Sequence, residues 1–185
     1  MFGKLEKYFA VLFSLVLRAL GDDRREGLQN QTMFGGDMAG GLNVPQITDG
    51  DDGPVMAFLP SSDYILWPGG IMYYEYDASA TRNDEVLSAA IQEIHAKTCL
   101  RIYPRNGKTS ITSYVIITTT SDGCWSYVGM KVSGSQELNL SVAGCWYTGT
   151  VIHEFLHAFG FQHEHQRYDR DSTITVQENN VEASK

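Results

Sequence analysis

The stretch His153-Glu154-Phe155-Leu156-His157-Ala158-Phe159-Gly160-Phe161-Gln162-His163 decides the fold of this 185-residue chain. Residues four positions apart lie on the same face of a helix, so His153 and His157 would present two imidazoles one above the other. Neutral imidazole nitrogens are good ligands for Zn²⁺. Glu154 lies between the histidines, where a carboxylate can accept a proton from water that the metal activates. The stretch therefore predicts a helix that carries a zinc site.

Gly160 and His163 extend this pair of histidines into a candidate catalytic site. A glycine three residues after His157 can adopt a backbone conformation that other residues resist, so the chain can turn and return His163 as a third ligand. Catalytic zinc sites have three protein ligands and a position open for water, whereas structural sites usually close with four ligands. A histidine-rich surface helix is the alternative, but the complete spacing favours catalysis.

The long motif and its flanks resemble the astacin family of metzincin zinc endopeptidases. The chain continues Glu164-His-Gln-Arg-Tyr-Asp-Arg-Asp171, and the family shows H-E-x-x-H-x-x-G-F-x-H-E-x-x-R-x-D-R-D. Residues 64–70, 97–102 and 123–129 also resemble family segments, so the resemblance covers about residues 62–180. It implies an α+β fold, the N-terminal lobe of an astacin-like domain. This lobe has a twisted, mostly β sheet and two long helices, the second bearing the zinc motif.

The resemblance also implies a role for each matching residue. One zinc ion per subunit would be bound by three histidines: His153, His157 and His163. Glu154 would be the general base that activates water and later passes its proton to the leaving amine. Glu164 would help to hold the new N-terminus once a prosegment is removed, and a solvated acid at a helix end is the alternative. His95 and His165 match no ligand position.

An earlier tetrapeptide resembles the prosegments of the same family. Residues 34–37, Phe-Gly-Gly-Asp, fit the F-x-G-D pattern, in which the aspartate binds zinc in place of the catalytic water. A carboxylate oxygen suits zinc, and two glycines permit close approach of the backbone. An ordinary Gly-Asp turn is the alternative. The resemblance implies that Asp37 keeps a precursor latent, the prosegment being an intramolecular inhibitor, with activation cleavage expected between Pro54 and Asp63.

The N-terminus and the composition predict a secreted, extracellular protein. Lys4 and Lys7 precede an apolar run over residues 8–17, which is too short to span a bilayer and fits a signal peptide over residues 1–21. An uncleaved anchor or an amphipathic helix is the alternative. A Gly- and Asp-rich prosegment over residues 22–60 follows, and the peptidase domain occupies residues 61–185. The net charge of −8 argues against a nucleic-acid partner, and no stable membrane association is expected.

Residue patterns in that domain predict strands that alternate with two helices. The predicted strands are 71–76, 100–103, 114–119 and 136–142, and the predicted helices are 81–97 and 148–159. By resemblance, the strand 136–142 would form the upper rim of the cleft and pair with an extended peptide substrate. An ordinary sheet strand is the alternative. Asn139 opens a glycosylation sequon in this strand, but a glycan on a substrate rim is not expected.

The three cysteines bear on disulfides and on the extent of the chain. The resemblance implies that Cys124 pairs with Cys145, and that Cys99 pairs with a cysteine near the C-terminus of the family domain. Metzincins also have a methionine turn beneath the zinc, which in astacins precedes a zinc-binding tyrosine, and no S-x-M-H-Y sequence follows His163. We therefore expect a C-terminally truncated domain whose C-terminal lobe is largely missing, either a fragment or a truncated product.

Two functional hypotheses follow from these features. The first is a zinc metalloendopeptidase, secreted as a zymogen, that hydrolyses internal bonds of protein or peptide substrates without a covalent intermediate. The alternative is a catalytically inactive zinc-binding or regulatory module. A structural zinc protein is disfavoured, because three histidines beside Glu154 leave an open position in the predicted site.

Overall fold

The computed structural model describes residues 37–39, 64–132, 134–163, 165 and 170–177. Four features predicted from the sequence lie outside these residues: the signal peptide, most of the prosegment, the activation segment and Glu164. Among the described residues, no helix has the length and apolar character needed to cross a membrane.

A six-stranded mixed sheet forms the body of the domain. Its strands are β1 (Met38–Ala39), β3 (Ile71–Tyr76), β4 (Arg101–Pro104), β5 (Tyr114–Thr118), β6 (Cys124–Tyr127) and β8 (Ser135–Leu140), in the order β1-β6-β8-β5-β3-β4. Neighbouring strands are parallel except β6 and β8, which are antiparallel. A second, two-stranded sheet joins β2 (Tyr64–Ile65) to β7 (Met130–Lys131).

Two long helices pack against each other and against this sheet. Helix α1 (Asp84–Lys97) begins at its N-cap residue Asn83, whose side chain accepts a hydrogen bond from the backbone N–H of Val86. This cap explains why the helix begins three residues later than the predicted range of 81–97. Helix α2 (Thr148–Phe159) has the predicted bounds.

A single hydrophobic core joins both helices to the sheet. Fully buried side chains come from the strands and from both helices, among them Met72, Ile117, Leu138, Ile94 and Phe155. Residues 151–160 include the last nine residues of α2 and its C-cap, Gly160. All of them are buried except His153, which is partly exposed. The core therefore fixes α2 against the sheet and leaves one of its histidines partly exposed. The predicted α+β fold, a sheet with two long helices of which the second bears the motif, is confirmed, and the sheet is mixed.

The prediction that the strand 136–142 forms the cleft rim is wrong. The observed strand β8 is hydrogen-bonded on both sides, to β5 and to β6, so it has no free edge for a peptide. Strand β6 lies farther out, and among the described strands only β1 lies beyond it. Residues 123–129, which resemble a family segment, contain this strand and supply the edge instead.

Asn139, the start of a predicted sequon, is a buried structural residue of β8 with no exposed surface. Its side-chain oxygen accepts hydrogen bonds from the Thr118 hydroxyl and the Ser121 N–H. Its amide nitrogen donates to the carbonyl oxygens of Ser121 and Gly123. The folded protein therefore presents no glycosylation site here.

Cys124 and Cys145 form a disulfide with a Cα–Cα distance of 5.6 Å. The bond joins strand β6 to the segment that precedes α2, so it links the edge of the sheet to the histidine-bearing helix. Cys99 is exposed and has no disulfide partner among the described residues.

Candidate active site

Helix α2 carries the first two histidines of the motif. Their rings lie 4.5 Å apart between centroids, as expected for residues one turn apart on a helix face. The His157 side chain is 3% exposed and that of His153 is 21% exposed. Burial, and then the charge of His153, lower the pKa of His157, which favours the neutral imidazole that binds metals.

Gly160 ends α2 in the left-handed conformation, with φ of 108°. Its N–H donates to the His157 carbonyl at 2.7 Å, and the Phe161 N–H donates to the Leu156 carbonyl at 3.0 Å. These two bonds form the Schellman arrangement that commonly ends helices at a glycine. The chain then reverses and brings His163 beside the other two histidines, as the sequence predicted.

The Nε2 atoms of the three histidines converge. The distances between them are 2.9 Å from His153 to His157, 3.2 Å from His157 to His163 and 3.3 Å from His153 to His163. His157 Nδ1 donates to the Phe161 carbonyl at 2.7 Å, because a carbonyl can only accept. Its Nε2 therefore carries the lone pair, the form that a metal ligand needs.

Asp37 completes this group from a distant part of the chain. Its Oδ2 lies 3.0 Å from His153 Nε2 and 3.1 Å from His163 Nε2, and its Oδ1 lies 3.7 Å from His157 Nε2. Burial alone would raise the pKa of Asp37, but its interactions with the three histidine rings hold that pKa well below its usual range. The carboxylate is thus ionised among the imidazoles.

The donor set fits a zinc ion. One atom from each of Asp37 and the three histidines lies within 4.8 Å of the others. Ligand atoms about 2.0–2.1 Å from a tetrahedral zinc are roughly 3.3 Å apart, close to the separations observed here. Asp37 Oδ1 is buried without a hydrogen-bond partner in the described structure, as expected for an oxygen facing a cation site.

Glu154 lies on α2 between the first two histidines and is 1% exposed. Burial, and then the negative charge of Asp37, raise its pKa well above the ordinary value. Its Oε2 has no hydrogen-bond partner among the described residues. A buried carboxylate with a raised pKa and a free oxygen is suited to accept and return a proton.

Three residues that support the site did not stand out in the sequence. The indole N–H of Trp67 donates to the Ala158 carbonyl at the end of α2, at 2.7 Å. Gln136 holds the turn whose Gly129 N–H donates to the His157 carbonyl. His165, which matches no ligand position, stacks on the ring of His163 with centroids 5.1 Å apart. No local pattern signals the contacts of Trp67 and Gln136, because each joins segments that only the fold brings together.

Comparison with known proteins gives consistent matches. The sequence profile of the peptidase family described as "Astacin" matches residues 61–185. Zinc metalloproteinase nas-6 of Caenorhabditis elegans is 33% identical over 154 residues, which cover 83% of this chain and 42% of the relative. Zinc metalloproteinase nas-8 of Steinernema carpocapsae is 41% identical over 117 residues, which cover 63% of this chain and 27% of the relative. The chain thus spans less than half the length of these relatives.

The fold also has a counterpart among solved structures. High choriolytic enzyme 1, a hatching enzyme zinc-protease from the medaka fish Oryzias latipes, matches with a TM-score of 0.56 at 28% identity. The match covers 71% of this chain and 65% of that one. With a family profile that spans residues 61–185, the chain belongs to the astacin family of peptidases.

Proposed function

We propose that this chain belongs to a secreted zinc metalloendopeptidase, made as a latent precursor, that hydrolyses internal peptide bonds in protein or peptide substrates. The proposal rests mainly on one observation. Three imidazole Nε2 atoms and the Asp37 carboxylate converge, and the buried carboxylate of Glu154, on the helix that carries two of these histidines, interacts with the charge of Asp37. Such a constellation matches what metal-assisted hydrolysis requires, a ligand set and an adjacent base.

His153, His157 and His163 would hold one zinc ion per subunit. Zinc bound there would act as a Lewis acid and lower the pKa of water towards neutrality. The bond from His157 Nδ1 to the Phe161 carbonyl supports this role, because it fixes the ring orientation and keeps Nε2 available. Ring stacking by His165 would restrain His163 in the same way.

Glu154 would be the general base. Its carboxylate would accept a proton from the attacking water and later deliver that proton to the nitrogen of the leaving amine. Its burial and its raised pKa support both steps, because a base works best when its pKa approaches the operating pH. Water attacks directly in this scheme, so no covalent intermediate forms.

Asp37 would keep the precursor latent by filling the position that water needs. Two contacts support this role. The carboxylate approaches all three imidazoles, and the backbone carbonyl of Asp37 accepts a hydrogen bond from the Ser126 N–H at 2.9 Å. Residues 22–60 would be the prosegment that carries this switch, and its removal would free the site.

The edge of strand β6 would bind the substrate as an extended peptide. Strand β1 lies along this edge in parallel register, with Met38 opposite Ser126 and Ala39 opposite Tyr127. A substrate strand could form the same kind of backbone hydrogen bonds once β1 is removed. The prosegment would therefore block both the ligand position and the peptide-binding edge.

Export to the extracellular space would follow from a signal peptide over residues 1–21, with the peptidase domain at residues 61–185. The disulfide between Cys124 and Cys145 supports this route, because disulfides persist mainly in oxidising compartments. The net charge of −8 supports an enzyme that associates with neither nucleic acids nor anionic membranes.

A proteolysis assay on the processed chain tests the proposal, with Glu154→Gln as the key variant. We expect this variant to lose roughly 10²–10⁴-fold in activity, the usual contribution of a general base, while it keeps its zinc. A chelator should abolish cleavage by the unmodified protein. Glu85→Gln is the matched control, since Glu85 is exposed in the first turn of α1 and should not matter.

Equal cleavage by the unmodified protein and Glu154→Gln would contradict the proposed mechanism. Zinc binding without cleavage by either protein would favour the inactive zinc-binding or regulatory module instead.

A further inference from the structure

The end of helix α2 is held by groups outside the helix. The last carbonyls of a helix have no intrahelical donor and need partners elsewhere. The His157 carbonyl accepts one hydrogen bond from Gly160 N–H and a second, at 2.9 Å, from Gly129 N–H. Gly129 belongs to the turn between β6 and β7, so this bond ties the edge of the sheet to the backbone of a histidine in the site.

Gln136 of strand β8 fixes the shape of that turn. Its side chain is buried, and the whole residue is 3% exposed. Its Nε2 donates to the Gly129 carbonyl at 2.7 Å, and its Oε1 accepts from the Lys131 N–H at 2.9 Å. One side-chain amide thus binds the backbone on both sides of Met130. Gly129 has φ of 78°, a left-handed conformation that the two bonds help to hold.

These contacts form a continuous path from Gln136 to the ligand atom of His157. Gln136 sets the position of Gly129, and Gly129 N–H binds the carbonyl of His157. The His157 ring is 3% exposed and bonded at Nδ1, so it has little freedom to compensate for a shift of its backbone. A displaced turn would move Nε2 relative to the other two imidazoles.

We propose that Gln136 is a positioning residue for the metal site, which acts through Gly129 on His157. This proposal rests on the proposed zinc function. The same turn continues strand β6, so Gln136 also joins the peptide-binding edge to the histidine ligands. Groups that do not contact the metal but orient its ligands typically contribute 10- to 100-fold in metal affinity.

Zinc affinity of the full chain, measured by competition with a chromophoric chelator, tests this role. Gln136→Met removes both hydrogen bonds at nearly constant shape, and we expect zinc to bind roughly 10- to 100-fold more weakly. The matched control is Gln92→Met, because Gln92 is exposed on α1 and its amide contacts only the Ser88 hydroxyl among the described residues.

Cobalt absorption separates positioning from a general loss of stability. A variant with a displaced His157 should show shifted visible bands when Co²⁺ replaces zinc, whereas a variant that is only less stable should keep the original spectrum in its folded fraction. Unchanged zinc affinity and unchanged cobalt bands in Gln136→Met would overturn the proposal.

Amide hydrogen exchange tests the positioning role of Gln136 even if the proposed zinc function is contradicted. If the unmodified chain binds neither zinc nor cobalt, the zinc function itself is contradicted. In that case the exchange rate of the Gly129 amide tests the contact between Gln136 and His157 by itself. Faster exchange at Gly129 in Gln136→Met supports the positioning role of Gln136, and an exchange rate equal to that of the unmodified chain overturns it.

Discussion

Each of the three histidines that converge on Asp37 reaches the centre through its Nε2 atom. The direction of these lone pairs is set by ordinary contacts, chiefly the bond from His157 Nδ1 to a backbone carbonyl and the burial of the rings. The Asp37 carboxylate lies 3.0 Å from His153 Nε2, 3.1 Å from His163 Nε2 and 3.7 Å from His157 Nε2. The same four groups offer one ligand atom each to a cation.

Substitution of Asp37 by alanine tests the latency mechanism at the scale of one residue. We expect Asp37→Ala to raise the peptidase activity of the unprocessed chain by about tenfold or more. A hydrogen bond to a charged group contributes roughly 1.5–3 kcal/mol, and about 1.4 kcal/mol corresponds to tenfold in an equilibrium. The measurement is hydrolysis of a quenched fluorescent peptide by the intact precursor.

Asp122→Ala is the control for this experiment, because Asp122 is an exposed aspartate outside the site. It should leave the precursor as inactive as the unmodified chain. A fully latent Asp37→Ala precursor whose processed form is active would show that Asp37 is not the switch.

The sequence predicted the residues of the site better than the residues that support it. His153, Glu154, His157 and His163 lie within eleven positions, so helix periodicity and one glycine suffice to bring them together. Asp37 lies 116 residues before His153, and only a resemblance to a prosegment motif singled it out. Gln136 acts through a turn on another strand, a contact that depends on strand pairing and leaves no local pattern.

At the scale of elements, the end of helix α2 determines where His163 goes. The turn requires a residue with φ of 108° at position 160. Residues with a Cβ atom pay about 1–2 kcal/mol in the left-handed region, so we expect Gly160→Ala to lower the free energy of unfolding by that amount. Chemical denaturation of both proteins measures this difference.

Gly149→Ala is the matched control, because Gly149 lies in the first turn of the same helix and does not have a positive φ. Alanine favours helical backbone over glycine by roughly 0.5–1 kcal/mol, so this variant should be as stable as the unmodified protein or more stable. Equal destabilisation by both substitutions would contradict a special role for the left-handed turn.

Elements with a clear local signal were predicted well, and those defined by pairing were not. Strand β3 and helix α2 have the predicted bounds, since aromatic β-formers mark the first and a glycine ends the second. Strand β6 is short and begins directly after a glycine of positive φ, so it resembled a loop. The family resemblance predicts the rim at residues 136–142, and only the hydrogen-bond partners of β8 on both sides show that it is an interior strand.

At the scale of the whole molecule, the disulfide between Cys124 and Cys145 connects the sheet to the histidine-bearing helix. It joins strand β6 to the segment that leads into α2 across a sequence separation of 21 residues. A crosslink restricts the unfolded chain, and a loop of this size contributes roughly 3 kcal/mol. The bond therefore stabilises the arrangement of strand and helix on which the site depends.

Replacement of both cysteines by serine should lower the free energy of unfolding by about 3 kcal/mol, measured by denaturant titration of the full chain. Cys99→Ser is the control, because Cys99 is exposed and outside any described disulfide, and it should change stability little. A double variant as stable as the control would show that the crosslink is dispensable to this fold.

We propose that three histidines and Asp37 form a zinc centre in the precursor. X-ray absorption at the zinc edge of the zinc-loaded full chain is the measurement that tests this coordination. We predict a four-coordinate site with three imidazole ligands and one oxygen ligand, all at about 2.0–2.1 Å. Failure to bind zinc stoichiometrically, or a spectrum with sulfur ligands or fewer than three imidazoles, would contradict the claim.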